Sequence, residues 1–324
     1  MTFDLPRLRA WLGANTLIVE GTPMAGGWSN ETVFLRADDR PLVLRLAPAG
    51  PSMFPTYDLT LQVRCLLLAA DAGLPVPAVI GTEYDVSVLG RPFFVMERIA
   101  GRVPADDNPP FTKAGFLFDA DPATQQRFCT RAIELIAAIH ALPAPGFLHV
   151  GPAPRQHLEW CAQLCDWATL HHPDLVAAHA ALERDVPADC AAPTGLLWGD
   201  ARPANIVVDD DFAIVGLLDW ELAGTGPGEL DIAWFCEMNH MRSIGMGIAP
   251  LPGFLGVDAT WECWAATIGR APTHVDWHHR FAAYRVAVLM FLYLNAMIAR
   301  GKLPADHRLM QDNTSTRRLR TLFG

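Results

Sequence analysis

Residues 196–221 read LLWGDARPANIVVDDDFAIVGLLDWE, and this stretch decides the fold. Asp200 and Asn205 stand at the ends of a short polar loop that holds Arg202 and Pro203. The run Ile206-Val207-Val208, three aspartates (Asp209 to Asp211) and a return run from Phe212 to Leu218 predict a β-hairpin. A hairpin returns to its start, so Asn205, which enters it, and Asp219, which leaves it, are expected side by side. Asp200 lies a few residues away. Two such oxygen-bearing side chains suit a hard divalent cation such as Mg²⁺, whose remaining ligands come from substrate phosphates. The Asp-to-Asn spacing alone occurs by chance in many proteins. Loop, hairpin and second aspartate in that order form a far more specific signal. Asp209 to Asp211 themselves read as a solvated hairpin tip.

Composition bounds the answer. The chain has 324 residues, 51% hydrophobic and 19% charged, which fits a well-folded globular protein of one or two domains. A net charge of -10 disfavours a general nucleic-acid binder. Seven irregularly spaced cysteines make no disulfide framework and no paired zinc motif, so Cys161 and Cys165 are expected to be buried thiols. The start, MTFDLPRLRAWLG, lacks a signal-peptide pattern, and the apolar stretch from Val286 to Ala299 is too short to span a bilayer. The expectation is a cytoplasmic protein with neither nucleic acid nor membrane as partner.

Upstream of the hairpin, Met24 to Thr32 holds Gly26, Gly27, Ser29 and Asn30 between apolar runs. Glycines beside small polar residues approach a phosphate closely and offer backbone N–H groups. An ordinary Gly-rich turn is the plainer reading of that segment by itself. Pro41 to Leu46 predicts a strand carrying Arg45, and Val79 to Val88 and Pro92 to Met96 predict two more. Tyr57 to Ala72 has helical apolar spacing and stops at Gly73. From about Asp121 the pattern turns helical: Gln125 to Leu142, Leu158 to His171, Asp174 to Arg184, Trp261 to Ile268 and His274 to Ala299. Asp106 to Ala120 reads as an irregular connection. His140, His171-His172 and His278-His279 are read as surface or packing residues, not as metal ligands.

The pieces GGWSNETVFL, LVLRLAP, SVLGRPFFVMERIAG, IAAIHALP, WGDARPANIVVD and LLDWELAGTGPGELDIAW, in this order, resemble the aminoglycoside phosphotransferase and choline kinase group of protein-kinase-like small-molecule kinases. The branch is similar to the kinase-like domains associated with acyl-CoA dehydrogenases. The resemblance implies an α+β, two-lobed protein-kinase-like fold: a β-rich nucleotide-binding lobe over residues 1–100 and a larger, mainly helical lobe over 101–324. It implies that Asp200 is the catalytic base and that Asn205 and Asp219 hold Mg²⁺ against the ATP phosphates. It further implies that Gly26, Gly27, Ser29 and Asn30 cover those phosphates, that Arg45 contacts them, and that the backbone from Glu97 to Ile99 meets adenine. Asp231 is expected to structure the loop. The implied reaction moves the γ-phosphate of ATP to a hydroxyl of a small molecule. A nucleotide-binding pseudokinase is the alternative.

Three positions depart from the family pattern. Arg45 replaces the usual lysine, Gln62 stands where an acidic helix residue usually orients that cation, and Trp198 replaces a histidine before Gly199-Asp200. Gln62 is expected to hydrogen-bond Arg45, and Trp198 to support the loop by packing or to wall the substrate pocket. Glu221, Glu229, Asp231, Glu237 and Glu262 are possible contacts for a polycationic acceptor. Trp198, Trp220, Trp234, Trp261 and Trp264 suit a core or an aromatic-faced acceptor.

Overall fold

The computed structural model describes residues 4–24, 30–148, 150–187 and 194–324. A five-stranded antiparallel sheet comes first: β1 (Leu17–Met24), β2 (Glu31–Ala37), β3 (Arg40–Leu46), β4 (Val79–Glu83) and β5 (Phe93–Glu97), in the order β1-β2-β3-β5-β4. Ala37 pairs with Arg40, so Asp38 and Asp39 alone make the β2–β3 turn. Both have positive φ (46° and 66°), the conformation that a two-residue turn needs to match strand twist.

Alternation along the strands gives the sheet two different faces. Val33, Leu35, Leu42, Leu44, Leu46, Phe93 and Val95 pack with Leu8 of the N-terminal helix Leu5–Leu12 into one core cluster. Thr32, Phe34, Val43, Arg45, Phe94 and Met96 face the other way and line a cleft. The helix Leu59–Asp71, capped by Asp58, turns Gln62, Val63 and Leu66 inward.

The segment after β5 is pinned to the predicted hairpin, β7 (Ile206–Val208) and β8 (Ile214–Leu217). Arg102 and Val208 exchange both backbone hydrogen bonds, at 2.8 and 2.9 Å. Gly101 lies so close that a Cβ there would meet the Val208 carbonyl oxygen at 2.5 Å. Beyond this crossing the chain is mainly helical, packed around Val275–Ala299. That helix, expected over His274 to Ala299, is long and apolar enough to cross a membrane by length and composition, although the run Val286 to Ala299 alone is too short, and it is mostly buried inside the protein.

Several boundaries differ from the sequence expectation. The fourth strand stops at Glu83, because Asp85 caps a short helix, Val86–Leu89, that Gly90 closes in a left-handed conformation. The helix expected from Leu158 begins at Pro154, a residue suited to a first turn, and ends at Trp167. Phe212 sits in the hairpin turn with φ 62°, outside the strand. The helix Glu229–Met241 and the pair β6 (Thr194–Leu197) with β9 (Gly224–Pro227) gave no sequence signal. Nearly every residue of that helix is buried, so no periodic apolar stripe marks it, and GTGP has no strand propensity.

Candidate active site

The loop after β6 starts with a tight approach. Gly199 has φ 84°, and a Cβ there would meet the Leu222 carbonyl oxygen at 1.8 Å. Asp231, wholly buried at the start of its helix, holds this turn from below. Its carboxylate accepts from the amides of Trp198 (2.7 Å) and Gly199 (3.0 Å), and His140 Nε2 lies 3.2 Å away. Trp264 Nε1 in turn donates to His140 Nδ1. Trp198 is fully buried and donates its indole N–H to the Leu218 carbonyl, so it supports the loop by packing and does not wall a pocket.

Asp200 is the hub of the loop. Asn205 Nδ2 donates to its Oδ2 at 2.8 Å and to its carbonyl oxygen at 3.0 Å. Arg202 Nε donates to the same Oδ2 (2.9 Å), and Trp234 Nε1 to Oδ1 (3.0 Å). Arg202 also pairs with Asp106, which Arg242 grips at 2.7 and 2.8 Å. Burial alone would raise the Asp106 carboxyl, but these two guanidiniums hold it below the usual carboxylate range. Sequence reading left Trp234 open between core and acceptor wall, and gave no role to Asp106 or Arg242. They come from distant segments and carry no local motif.

Asn205 and Asp219 are brought together as the hairpin predicts. The Leu218 amide donates to the Asn205 carbonyl at 2.8 Å, and both side chains line the cleft of about 440 Å³ between sheet and helical part. Asp219 has φ 59°, an unusual conformation for a non-glycine residue that recurs at functional sites. Because Asn205 turns its amide nitrogen to Asp200, its side-chain oxygen is left for a cation. Among the described residues no three His, Cys, Asp or Glu side chains converge on one point. A cation held here would therefore take few protein ligands, as Mg²⁺ does when phosphates complete its shell.

The sheet contributes Arg45, whose guanidinium donates to Thr32 Oγ1 (2.9 Å) and pairs with Asp219 (3.2 Å). Gln62 lines the same cleft, but it accepts from Asn30 Nδ2 at 3.3 Å, not from Arg45 as expected. Asn30 also donates to Glu221 (3.0 Å), which accepts from the Tyr57 hydroxyl (3.0 Å). Burial and the nearby Glu221 push the Tyr57 hydroxyl far up, so it remains a donor. Glu97 and Ile99 line the cleft's outer end. Gly26, Gly27 and Ser29 lie outside the described residues.

Two of the other candidate carboxylates are engaged elsewhere, and Glu262 is exposed. Glu229 pairs with Arg270 (2.6 Å) and Glu237 with Arg318 (3.0 Å). Trp220 lines the cleft and Trp234 a small pocket beside Asp200, whereas Trp261 and Trp264 are core. Cys161 and Cys165 are buried thiols, and burial raises Cys161 to about 12.

A β-rich sheet over a helical body, with this loop at the cleft between them, defines the two-lobed kinase-like class. The phosphotransferase enzyme family matches residues 20–266, and the chain belongs to that family. Acyl-CoA dehydrogenase family member 10 of Mus musculus is 27% identical over 282 residues, covering 82% of this chain and 25% of that protein. The chain thus spans about a quarter of the length of that curated relative. A structure described as a putative aminoglycoside phosphotransferase from Ralstonia eutropha superposes with a TM-score of 0.72 at 20% identity, covering 99% of this chain and 96% of that one. An aminoglycoside phosphotransferase of Streptomyces rimosus, in complex with ADP and streptomycin, gives 0.57 at 18% identity, with coverage of 88% and 96%. These structural likenesses establish the fold.

Proposed function

We propose that the chain is an ATP- and Mg²⁺-dependent phosphotransferase that moves the γ-phosphate to a hydroxyl of a small molecule. The observation that carries this reading is the juxtaposition of Asn205 and Asp219, which line the interlobe cleft, with Asp200, which is hydrogen-bonded to Asn205 and lines the small pocket. Asn205 and Asp219 would hold Mg²⁺, which neutralises charge on the transferring phosphate. Arg45 would bind phosphate oxygens with its planar fork. Asn30 and the preceding loop, including Gly26, Gly27 and Ser29, would cover the phosphates, and the Glu97 to Ile99 backbone would meet the base. That a structural neighbour, the S. rimosus phosphotransferase, was solved in complex with ADP supports a nucleotide as the phosphate donor.

Phosphoryl transfer asks the protein mainly for positioning and charge stabilisation. Asp200 is oriented by three donors and would hold the acceptor hydroxyl in line and take up its proton. The pocket of about 60 Å³ beside it is lined by Met53, Trp234, Met238, Met241, Leu289 and Met290, with Arg202, Glu221 and Arg242 also on its wall. With Glu229, Asp231 and Glu237 engaged elsewhere, this wall favours an acceptor with an apolar body over a polycation.

The test incubates γ-labelled ATP and Mg²⁺ with a panel of hydroxylated small molecules. Label should pass to one acceptor class with the wild type. Asp200→Asn should lower that rate roughly 10²- to 10⁴-fold while the variant still melts as a folded protein at the assay temperature. Equal transfer by this variant would defeat the assignment. A nucleotide-binding role without turnover is the second reading, favoured by Gln62, which gives Arg45 no charge partner. Nucleotide binding with no transfer to any acceptor would select it.

A further inference from the structure

Arg285 lies in the helix Val275–Ala299 and is buried, 6% exposed. Among the described residues it forms no ion pair, and its Nε has no hydrogen-bond partner. Two indole faces lie against its guanidinium, Trp234 at 4.7 Å and Trp160 at 5.7 Å. A buried cation without a carboxylate is costly, because it has lost its water and gained no counter-charge. Such a group is retained where a ligand completes it.

The guanidinium has room for one. It lines a cavity of about 270 Å³ whose walls include Phe54, Trp160, Leu164 and Leu222. Both carboxylates on the wall are already engaged: Asp58 accepts from the Thr60 and Leu61 amides, and Glu221 accepts from Tyr57 and Asn30. His157, on the same wall, is kept neutral by burial, with a value of about 4, so Arg285 is the cation facing this space. The cavity shares Phe54, Glu221 and Leu222 with the small pocket beside Asp200. Trp234 links the two sites: one indole touches Arg285 and donates to Asp200.

We propose that Arg285 is an anion-binding residue of the acceptor site, gripping a carboxylate or phosphate group of a molecule whose apolar body runs past Trp234. A planar guanidinium flanked by aromatic faces suits such a group, because its donors lie in one plane and bind two oxygens at once. That the same molecule presents its hydroxyl to Asp200 rests on the phosphotransferase reading; anion binding at Arg285 does not.

The experiment titrates the full chain, with ADP and Mg²⁺ present, against hexanoate, hexyl phosphate and hexanamide by calorimetry. At least one anion should bind and hexanamide should not, and the tighter anion identifies the group. Arg285→Met should weaken that binding roughly ten- to a hundredfold. Arg285→Lys, which keeps the charge and loses the fork, should fall between; should the methionine variant fail to fold, the lysine variant and the anion-against-amide comparison decide. Hexanamide binding as tightly as the anions, no anion binding at all, or an unchanged affinity in Arg285→Met overturns the proposal. Anion binding that persists while the wild type phosphorylates no acceptor removes the kinase reading and leaves this site standing.

Discussion

Asp231 holds the Asp200 loop from a fully buried position, through two backbone amides and His140. The N-terminal part of the chain meets the site differently. Arg45, Asn30 and Tyr57 reach across the cleft to two part-exposed carboxylates, Asp219 and Glu221. The groups that would act on the acceptor are thus fixed by the folding core. Those that would cover the phosphates are attached by polar contacts that water or a nucleotide can replace. One side of the site is built for precision and the other for exchange.

The strongest way to break this comparison is Asp231→Ala. It leaves two buried amides and His140 without their acceptor, and each orphaned group costs about 1–3 kcal/mol. The expected loss is roughly 3–5 kcal/mol, read as a fall in urea midpoint at constant slope. A loss of about 1 kcal/mol or less would mean that the loop stands without its buried support.

Acid separates the two parts next. All eleven histidines follow residue 100, so the sheet has none. Burial lowers His157 to about 4 and His278 to about 3, from the ordinary 6.5. The unfolded chain therefore takes up protons below pH 6.5 that the native protein refuses. Stability from these groups is complete above pH 6.5 and is lost as pH falls towards 4. His157 accounts for roughly 3 kcal/mol of that loss. Thermal melts across this range should show the decline, and His157→Gln should flatten it. A melting temperature independent of pH between 6.5 and 4 would contradict the buried neutral histidines.

The smallest effect sharpens the other side. Tyr57→Phe removes one hydrogen bond to Glu221 and should cost about 1 kcal/mol in the same denaturation assay. A loss as large as that of Asp231→Ala would mean that the cross-cleft contacts belong to the folding core.

What the sequence revealed follows the same division. Asp200, Asn205 and Asp219 were legible because a loop and a hairpin bring them together within twenty residues, and local chain geometry decides that arrangement. The strands at Pro41 to Leu46, from Val79 and at Pro92 to Met96 were legible as short apolar runs, and Arg45 does face the cleft, but β1 was not read from the sequence. The support was not. His140 is 91 positions from Asp231, and Arg242 is 136 positions from Asp106. Helix Glu229–Met241 is buried on almost every side and shows no stripe. Arg285 sits in an apolar helix where only the folded packing reveals that, among the described residues, its Nε has no hydrogen-bond partner. The sequence also suggested that Gln62 reaches Arg45, but the helix places it against Asn30.

The most direct test of the central claim is nucleotide binding by calorimetry, with ATP in the presence and absence of Mg²⁺, for the wild type and Asp219→Ala. The account predicts binding that requires Mg²⁺ and weakens roughly tenfold or more in the variant. Equal, Mg²⁺-independent affinity in both proteins, or no binding of ATP in either, would contradict it.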